Sequence, residues 1–299
     1  MKALVLSGGG AKGAYQVGAV RYLLGERGEH YDILCGTSVG ALNAGYLAMF
    51  PGGEELDAAT GLHKLWLDEV DDGKIWRKWY FGILGELPVV LPKWLGGKQS
   101  AYTTKPLAKL VEKYLKPQAV ATSGKKLRVG AVSLSTGERR VWDEGSGEAL
   151  KGAIMASSSF PIFFEPIHID GEVYTDDGVR ETTPIEEAIK AGATHIDVIS
   201  TGPDQIIGHF DPKANGLALA QRILDSMSLE IEKWDLKVVD LYNALYEWKH
   251  PGATGKGPIA LRVLRPKQNL LESALDFSKE KVLVNMDRGY RDAKESGWA

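Results

Sequence analysis

The sequence predicts an α/β fold with a largely parallel central sheet and helices on both faces. Short apolar segments alternate with longer helical ones along the 299 residues, the order typical of strand–helix units in a parallel sheet. Two early strands end in glycine-rich turns that lead directly into helices. The hydrophobic content of 44% suffices for a large core, and the chain contains no internal repeat. We therefore expect a single domain over residues 1–299.

The elements follow in chain order from their residue patterns. A buried strand at Ala3–Leu6 precedes a helix at Ala14–Leu24, and a strand at Tyr31–Cys35 precedes a helix of small residues at Ser38–Met49. Later segments with the same patterns are strands at 127–134, 139–142, 195–200 and 259–264 and helices at 147–156, 183–190, 214–248 and 281–295. We expect the chain to be mainly helical from about residue 205.

Composition excludes several classes of partner and location. The net charge of −3 and the lack of a basic stripe argue against nucleic-acid binding. Cys35 is the single cysteine, so no internal disulfide can form. The chain shows neither a signal-peptide pattern nor an apolar run of membrane-spanning length. We expect a cytoplasmic protein, while secretion by a route that reads no N-terminal signal stays open.

The first glycine-rich turn, Gly8–Gly13, follows the first strand and opens a helix. It fits the G-x-G-x-x-G pattern that binds a dinucleotide pyrophosphate, but the acidic residue expected about twenty residues on is missing from the end of the second strand. It also lacks the Gly-Lys-Ser/Thr of a Walker A loop. A run of backbone N–H groups that stabilises a transient oxyanion explains the same glycines, and nucleotide binding is the weaker alternative.

The second turn, Gly36-Thr37-Ser38-Val39-Gly40, is a G-x-S-x-G sequence between a strand and a helix. This context favours a nucleophilic Ser38 over a serine that merely caps a helix. A serine hydroxyl needs a base, and none of the six histidines lies in a recognisable catalytic motif. A triad of Ser38 and Asp176 with His195 or His209 has the chain order of an α/β-hydrolase and remains an alternative.

Four ordered motifs together resemble those of patatin-like phospholipases. They are the G-G-G-x-K-G loop at Gly8–Gly13, the G-x-S-x-G turn at Gly36–Gly40, an A-S-x-x-x-P block within Ala153–Ile167 and an aspartate motif within Tyr174–Pro184. The resemblance covers residues 4 to about 190. It implies a three-layer patatin-like fold and a lipolytic acyl hydrolase that cleaves esters of phospholipids, lysophospholipids or simple lipids.

The resemblance also implies roles for individual residues, and neither a metal nor a cofactor. Ser38 would be the nucleophile of a Ser-Asp dyad, with an acyl-enzyme as intermediate. The amides of Gly8, Gly9 and Gly10 would form the oxyanion hole, and Lys12 would steady the loop or bind an anionic head group. The remaining motif positions are Gly13, Gly36, Gly40 and Gly178.

The aspartate motif departs from the family pattern. Patatin-like proteins read Asp-Gly-Gly at this point, whereas this chain reads Asp176-Asp177-Gly178. Counting from Tyr174 or from Pro184 assigns the catalytic position to Asp176, and Asp177 is the alternative register. A second carboxylate beside the base could raise its pKa. The departure also motivates a second hypothesis, a non-catalytic protein that binds lipid or acyl groups on the same fold.

One segment stands out by its aromatic content. Ile75–Leu95 carries three tryptophans among flanking lysine and arginine residues, a composition that suits a water–lipid boundary. It predicts an aromatic-rich lid or insertion at about 70–100, with transient contact to a membrane surface. A satellite core that only packs against the domain explains the composition equally well. The sequence indicates a lipid or ester substrate and no particular oligomeric state.

Overall fold

The structure, a computed structural model, describes residues 1–78, 100, 102–205, 208, 216–249, 257–271 and 273–298. The predicted lid at about 70–100 and the membrane contact through Ile75–Leu95 lie for the most part outside these residues and stay predictions. Within the described ranges, no helix combines the length and the apolar character that a membrane span requires.

The described residues form an eight-stranded sheet and a separate two-stranded ladder. The strands are β1 (Lys2–Leu6), β2 (Ile33–Gly36), β3 (Arg77–Lys78), β4 (Tyr102–Thr103), β5 (Lys126–Ser133), β6 (Arg139–Asp143), β7 (Ile167–Ile169), β8 (Glu172–Asp176), β9 (His195–Ile199) and β10 (Ala260–Leu264). The large sheet has the order β10-β9-β1-β2-β5-β8-β7, with β6 also paired to β5, while β3 and β4 form the ladder.

Most of the large sheet is parallel, as the sequence predicts. Strands β10, β9, β1, β2 and β5 run parallel to one another. Strands β6, β7 and β8 join by antiparallel pairing at the β5 edge. Parallel neighbours need crossover connections, and the helices that supply them cover the sheet. The helices are α1 (Gly13–Val20, extended by a π-turn over Arg21–Glu26), α2 (Val39–Leu47), α3 (Glu55–Glu69), α4 (Asp72–Ile75), α5 (Lys105–Tyr114), α6 (Pro117–Thr122), α7 (Ala149–Ser157), α8 (Ile185–Lys190), α9 (Gly216–Glu247) and α10 (Lys279–Glu295).

Alternation along the central strands divides the core into two layers. In β1, Leu4 and Leu6 join a large apolar cluster that includes residues of α1, α2, α3, α5, α7 and α10. The alternate residues Ala3 and Val5 join a second cluster with α8 and α9. Successive side chains of a strand point to opposite faces, so each strand residue belongs to one layer only. The result is the predicted three-layer architecture, helices–sheet–helices.

The pairing of β5 brings two distant chain segments end to end. Its first half pairs with β2, where Gly36 lies opposite Val129. Its second half pairs with β8, where Asp176 lies opposite Ala131. Strands β2 and β8 therefore share one side of β5 and run toward each other. The turn that leaves the end of β2 consequently meets the last residue of β8.

Candidate active site

Ser38 sits in a strained turn between β2 and α2. Its φ of 56° and ψ of −124° lie outside the conformations that a residue with a side chain normally adopts. Two neighbouring hydroxyls hold its backbone: Ser38 N donates to Ser157 Oγ at 3.1 Å, and Ser158 Oγ donates to Ser38 O at 3.2 Å. Strain of this kind persists only where neighbouring groups hold the conformation firmly. Here those groups are the hydroxyls at the end of α7.

The two glycines of the G-x-S-x-G turn are required by close backbone packing. A Cβ at Gly36 would lie 2.2 Å from the carbonyl oxygen of Gly40, and one at Gly40 would lie 2.1 Å from that of Leu6. Neither contact can be relieved by moving a flexible side chain. The motif therefore presses the turn against the end of β1, which brings Ser38 beside the first glycine loop.

Asp176 is the carboxylate beside Ser38. It is buried at the end of β8, and its Oδ1 accepts a 2.8 Å hydrogen bond from the amide of Gly178. Its Oδ2 is also buried and has no hydrogen-bond partner of normal geometry among the described residues. Burial raises the pKa of Asp176 to about 7, although the Gly178 amide and the nearby Ser38 hydroxyl lower it in part. The Asp176 carboxylate thus has few hydrogen-bond partners and lies next to the Ser38 hydroxyl, which carries a proton.

Asp177 points elsewhere and has a different partner. Its two oxygens accept hydrogen bonds from Arg139 of β6, from Nε at 2.7 Å and from Nη2 at 2.8 Å. A Cβ at Gly130 would lie 2.2 Å from Asp177 Oδ2, so β5 leaves space for this pair. Asp176 lines the cavity around Ser38, and Asp177 is not among the described residues that do. The second carboxylate belongs to a buried ion pair behind the site.

Further acids surround the same guanidinium. Arg139 Nη2 also contacts Glu181 Oε2, and Arg139 Nη1 lies 3.5 Å from Glu187 Oε1. Burial raises the pKa of Glu181 to about 9, although Arg139 lowers it in part. Arg139 therefore compensates for charge that would otherwise be buried without a partner beneath the aspartate turn.

Replacement of Arg139 by methionine should lower the free energy of unfolding by about 3 kcal/mol at pH 7, because Asp177 would stay buried without its cation. The measurement is urea unfolding followed by circular dichroism. Arg140→Met is the matched control, since the neighbouring Arg140 is exposed and pairs with the exposed Asp170. Equal effects of the two substitutions would contradict the argument.

The first glycine loop leaves two amides available. The amide of Gly8, one of the three expected oxyanion donors, donates to the carbonyl of Thr182 at 3.0 Å and is therefore already engaged. Among the described residues, no protein acceptor takes the amides of Gly9 and Gly10. The loop lies against the nucleophile turn, since a Cβ at Gly8 would be 3.5 Å from Ser38 Cβ. Gly9 and Gly10 are therefore the remaining candidate donors.

Ser38, Asp176 and the loop glycines open into a cavity of about 800 Å³. Helices α3 and α5 contribute mainly apolar side chains to its wall, while α9 contributes mainly polar ones. The apolar set is Leu62, Leu65, Trp66, Leu107, Leu110 and Val111, and the polar set is Gln221, Arg222, Asp225, Ser228 and Glu232. The cavity can hold a molecule with a long apolar part and a polar end.

Lys12 lies within the same loop and also lines the cavity. Its side chain is 17% exposed, and its Nζ lies 3.8 Å from Asp225 Oδ1. A Cβ at the neighbouring Gly13 would lie 2.3 Å from Val39 Cγ2, so this glycine lets α1 pack against the start of α2. The Lys12 side chain thus lines the same cavity as Ser38.

The position of His195 argues against a catalytic triad that uses this histidine. His195 is exposed at the start of β9, where it pairs with Lys2 at the start of β1. Ser38 follows the opposite, carboxyl end of the neighbouring β2. His209 lies outside the described residues, and none of the described cavity-lining residues is a histidine.

Sequence reasoning missed the supporting role of four side chains. The hydroxyls of Ser157 and Ser158 lie in the A-S-x-x-x-P block, whose presence was a usable signal, but nothing in the spacing indicates that they hold the Ser38 backbone. No sequence pattern near Arg139 indicates its pairing with Asp177. Thr201 donates a hydrogen bond from its hydroxyl to the carbonyl of Gly8, a contact between residues 193 positions apart.

The chain is similar to one protein family and to individual known proteins. The family model described as Patatin-like phospholipase matches residues 4–189. The uncharacterized protein YqhO of Bacillus subtilis (strain 168) is 27% identical over 199 residues, which are 60% of this chain and 64% of that protein. The solved structure of VipD from Legionella pneumophila matches with a TM-score of 0.43 and 15% identity over 98% of this chain and 66% of that one. The match spans just under two thirds of the length of each of these two relatives.

The matched segment contains every motif described above, from β1 through the aspartate turn to α8. It covers more than half of the 299 residues. The chain therefore belongs to the patatin-like phospholipase family.

Proposed function

We propose that the protein hydrolyses carboxylic esters of phospholipids, lysophospholipids or simple lipids through a Ser38–Asp176 dyad and an acyl-enzyme. The observation that carries this proposal is the buried, partner-poor carboxylate of Asp176 beside the strained Ser38 in an apolar cavity. A base with a pKa of about 7 accepts a proton far better than an ordinary aspartate with a pKa near 3.9.

The first half of the reaction forms the acyl-enzyme. Ser38 Oγ attacks the ester carbonyl while its proton passes to the Asp176 carboxylate. The carbonyl oxygen becomes an oxyanion and accepts hydrogen bonds from the amides of Gly9 and Gly10. When the tetrahedral intermediate collapses, the carbon–oxygen bond to the alcohol breaks, and Asp176 returns the proton to the departing oxygen.

The second half releases the acid. A water molecule attacks the acyl carbon and gives its proton to Asp176. The same two amides stabilise the second oxyanion. The bond to Ser38 Oγ then breaks and Ser38 recovers its proton from Asp176, which restores the starting state.

Assignment of the oxyanion hole to the loop rests on which amides are free. The amide of Ser38 is engaged by Ser157, and that of Gly8 by Thr182. The Gly9 and Gly10 amides have no protein acceptor among the described residues. Losing one oxyanion donor costs about 10²–10³ in rate, so two preorganised donors account for a substantial part of the catalysis.

The cavity supports a lipid as substrate. Its apolar wall suits an acyl chain, while Lys12 and Arg222 on its polar side suit an anionic head group. Asp225, which lies near Lys12, moderates that positive charge. We propose Lys12 as a substrate-binding residue on this basis, and the lipid as the main partner.

The non-catalytic alternative drew its support from Asp177. Because Asp177 pairs with Arg139 and faces away from Ser38, its presence leaves the Ser38–Asp176 arrangement intact. Nucleotide binding stays the weaker alternative, because the wall that α3 and α5 contribute to the cavity is mainly apolar.

The test is hydrolysis across a panel of phospholipids, lysophospholipids and short p-nitrophenyl esters by the purified protein, with Ser38→Ala as blank. Serine-dependent release of acid or p-nitrophenol supports the proposal. A purified protein that binds these lipids without turning any of them over would favour the binding alternative instead.

The rate should depend on pH through Asp176. Only the ionised carboxylate accepts a proton, so kcat/KM should rise about tenfold per unit below pH 7 and level off above it, given the pKa of about 7. The measurement is the pH profile of p-nitrophenyl ester hydrolysis between pH 5 and 9, corrected for spontaneous cleavage. A flat profile from pH 6 to 9 would count against an aspartate base of this kind.

A further inference from the structure

Thr201 lies beside the glycine loop, on the side opposite Ser38. It follows β9, which pairs with one edge of β1, whereas Ser38 follows β2, which pairs with the other edge. All three strands are parallel, so the segments after them meet at one end of the sheet. Thr201 is buried there and lines the cavity.

Two hydrogen bonds tie Thr201 to the residues at the start of the loop. Its hydroxyl donates a short hydrogen bond to the carbonyl oxygen of Gly8, and its amide donates to Ser7 Oγ at 3.0 Å. Ser7 Oγ in turn donates to the same Gly8 carbonyl at 3.2 Å. The Gly8 carbonyl is thereby directed toward Thr201, and hence away from Ser38.

The direction of that carbonyl determines the direction of the next amide. In a planar trans peptide, the C=O of Gly8 and the N–H of Gly9 point in opposite directions. Since the carbonyl faces Thr201 on one side of β1, the Gly9 amide faces the Ser38 side. A hydrogen bond to the carbonyl also polarises the peptide unit and strengthens its N–H as a donor.

Close steric contact between Gly9 and Thr201 restricts the conformation of the glycine loop. Gly9 has a φ of 150°, and a Cβ there would lie 2.1 Å from Thr201 Oγ1. Thr201 therefore packs directly against the loop backbone and occupies the volume into which the Gly8–Gly9 peptide would have to turn. The loop conformation depends on both the missing side chain of Gly9 and the hydroxyl of Thr201.

We propose that Thr201 is a positioning residue for the oxyanion hole: its hydroxyl holds the Gly8 carbonyl so that the Gly9 amide faces the oxygen that becomes charged when Ser38 attacks. The inference rests on the proposed function. Because the oxyanion exists only in and around the transition state, loss of this hydroxyl lowers kcat and leaves KM nearly unchanged.

The test compares Thr201→Ser, which keeps the hydroxyl, with Thr201→Ala, which removes it; both lack the threonine methyl group. For p-nitrophenyl ester hydrolysis, Thr201→Ala should lower kcat roughly 10- to 100-fold, less than the ~10²–10³ for a donor lost outright. Its KM should stay within about twofold, and Thr201→Ser should stay within about threefold of the wild type in both constants. Thr194→Val, just before the opposite end of the same strand, should leave both constants unchanged.

Three results would overturn the inference. They are an Ala variant as active as the Ser variant, a Ser variant as impaired as the Ala variant, and a loss caused mainly by a higher KM. The pH profile separates positioning from general damage, since the apparent pKa near 7 belongs to Asp176 and should stay in place in every folded Thr201 variant. If the wild type shows no Ser38-dependent hydrolysis, the proposed function fails and this inference fails with it. Normal wild-type turnover with an unaffected Ala variant refutes Thr201 alone.

Discussion

Replacement of Ser38 by alanine should reduce kcat for ester hydrolysis by about 10³-fold or more. The substitution removes the only hydroxyl that the proposed reaction acylates, and Asp176 has no second nucleophile to activate except water. Binding of lipid in the apolar cavity should persist, since Ser38 contributes little of the wall. The measurement is kcat for p-nitrophenyl esters together with lipid binding by the same preparation.

The control for this variant is structural integrity. Serine and alanine tolerate the positive φ at position 38 equally poorly, so the substitution should change the fold little. The circular dichroism and melting temperature of the variant should match those of the wild type. Ser123→Ala, a serine away from the cavity at the end of α6, controls for serine replacement in general. Turnover that survives in a folded Ser38→Ala protein would refute Ser38 as the nucleophile.

Replacement of Asp176 by asparagine should lower kcat by about 10²–10⁴, the usual contribution of a general base. The asparagine side chain would keep the oxygen that accepts from Gly178 but could not take the proton of Ser38. Asp177→Asn is the matched control on the adjacent residue. It should change kcat less than about tenfold, because the Asp177 side chain binds Arg139 and does not face the nucleophile. The reverse ranking would assign the base to Asp177.

The same pair of variants provides a second readout in stability. The pKa of Asp176 is raised from about 3.9 in the unfolded chain to about 7 in the folded protein, so its protonated form is the one that folding favours. That contribution is fully present below pH 4 and is lost as the pH rises through 7. Asp176→Asn, which is neutral at every pH, should therefore melt higher than the wild type at pH 8, with the difference shrinking toward pH 4. Burial raises the pKa of Asp177 as well, although Arg139 lowers it in part, so the stability change of Asp177→Asn with pH should have the same sign.

Much of the chemistry was predictable because it is encoded in short motifs. A serine between two glycines at a strand-to-helix junction needs only local sterics to be recognised, and Gly36 and Gly40 indeed meet backbone where a Cβ would stand. The strands β1, β2, β5, β6, β9 and β10 were predicted from apolar patterns within a few residues. The short strands β7 and β8 were not separated as elements, since three to five residues carry little periodic signal.

The amino-acid sequence alone determined the layer architecture, the nucleophile turn, the glycine loop and the two adjacent aspartates, because each follows from residue types within a few positions of one another. Only the tertiary structure decided how these parts meet. Pairing of β2 and β8 on one side of β5 brought Asp176 to Ser38, and Arg139 turned Asp177 away. Contacts with Thr182 and Thr201 decided which loop amides are available. Strand order and peptide orientation depend on partners that lie from a few tens to nearly two hundred residues away in the sequence, so no local pattern can report them.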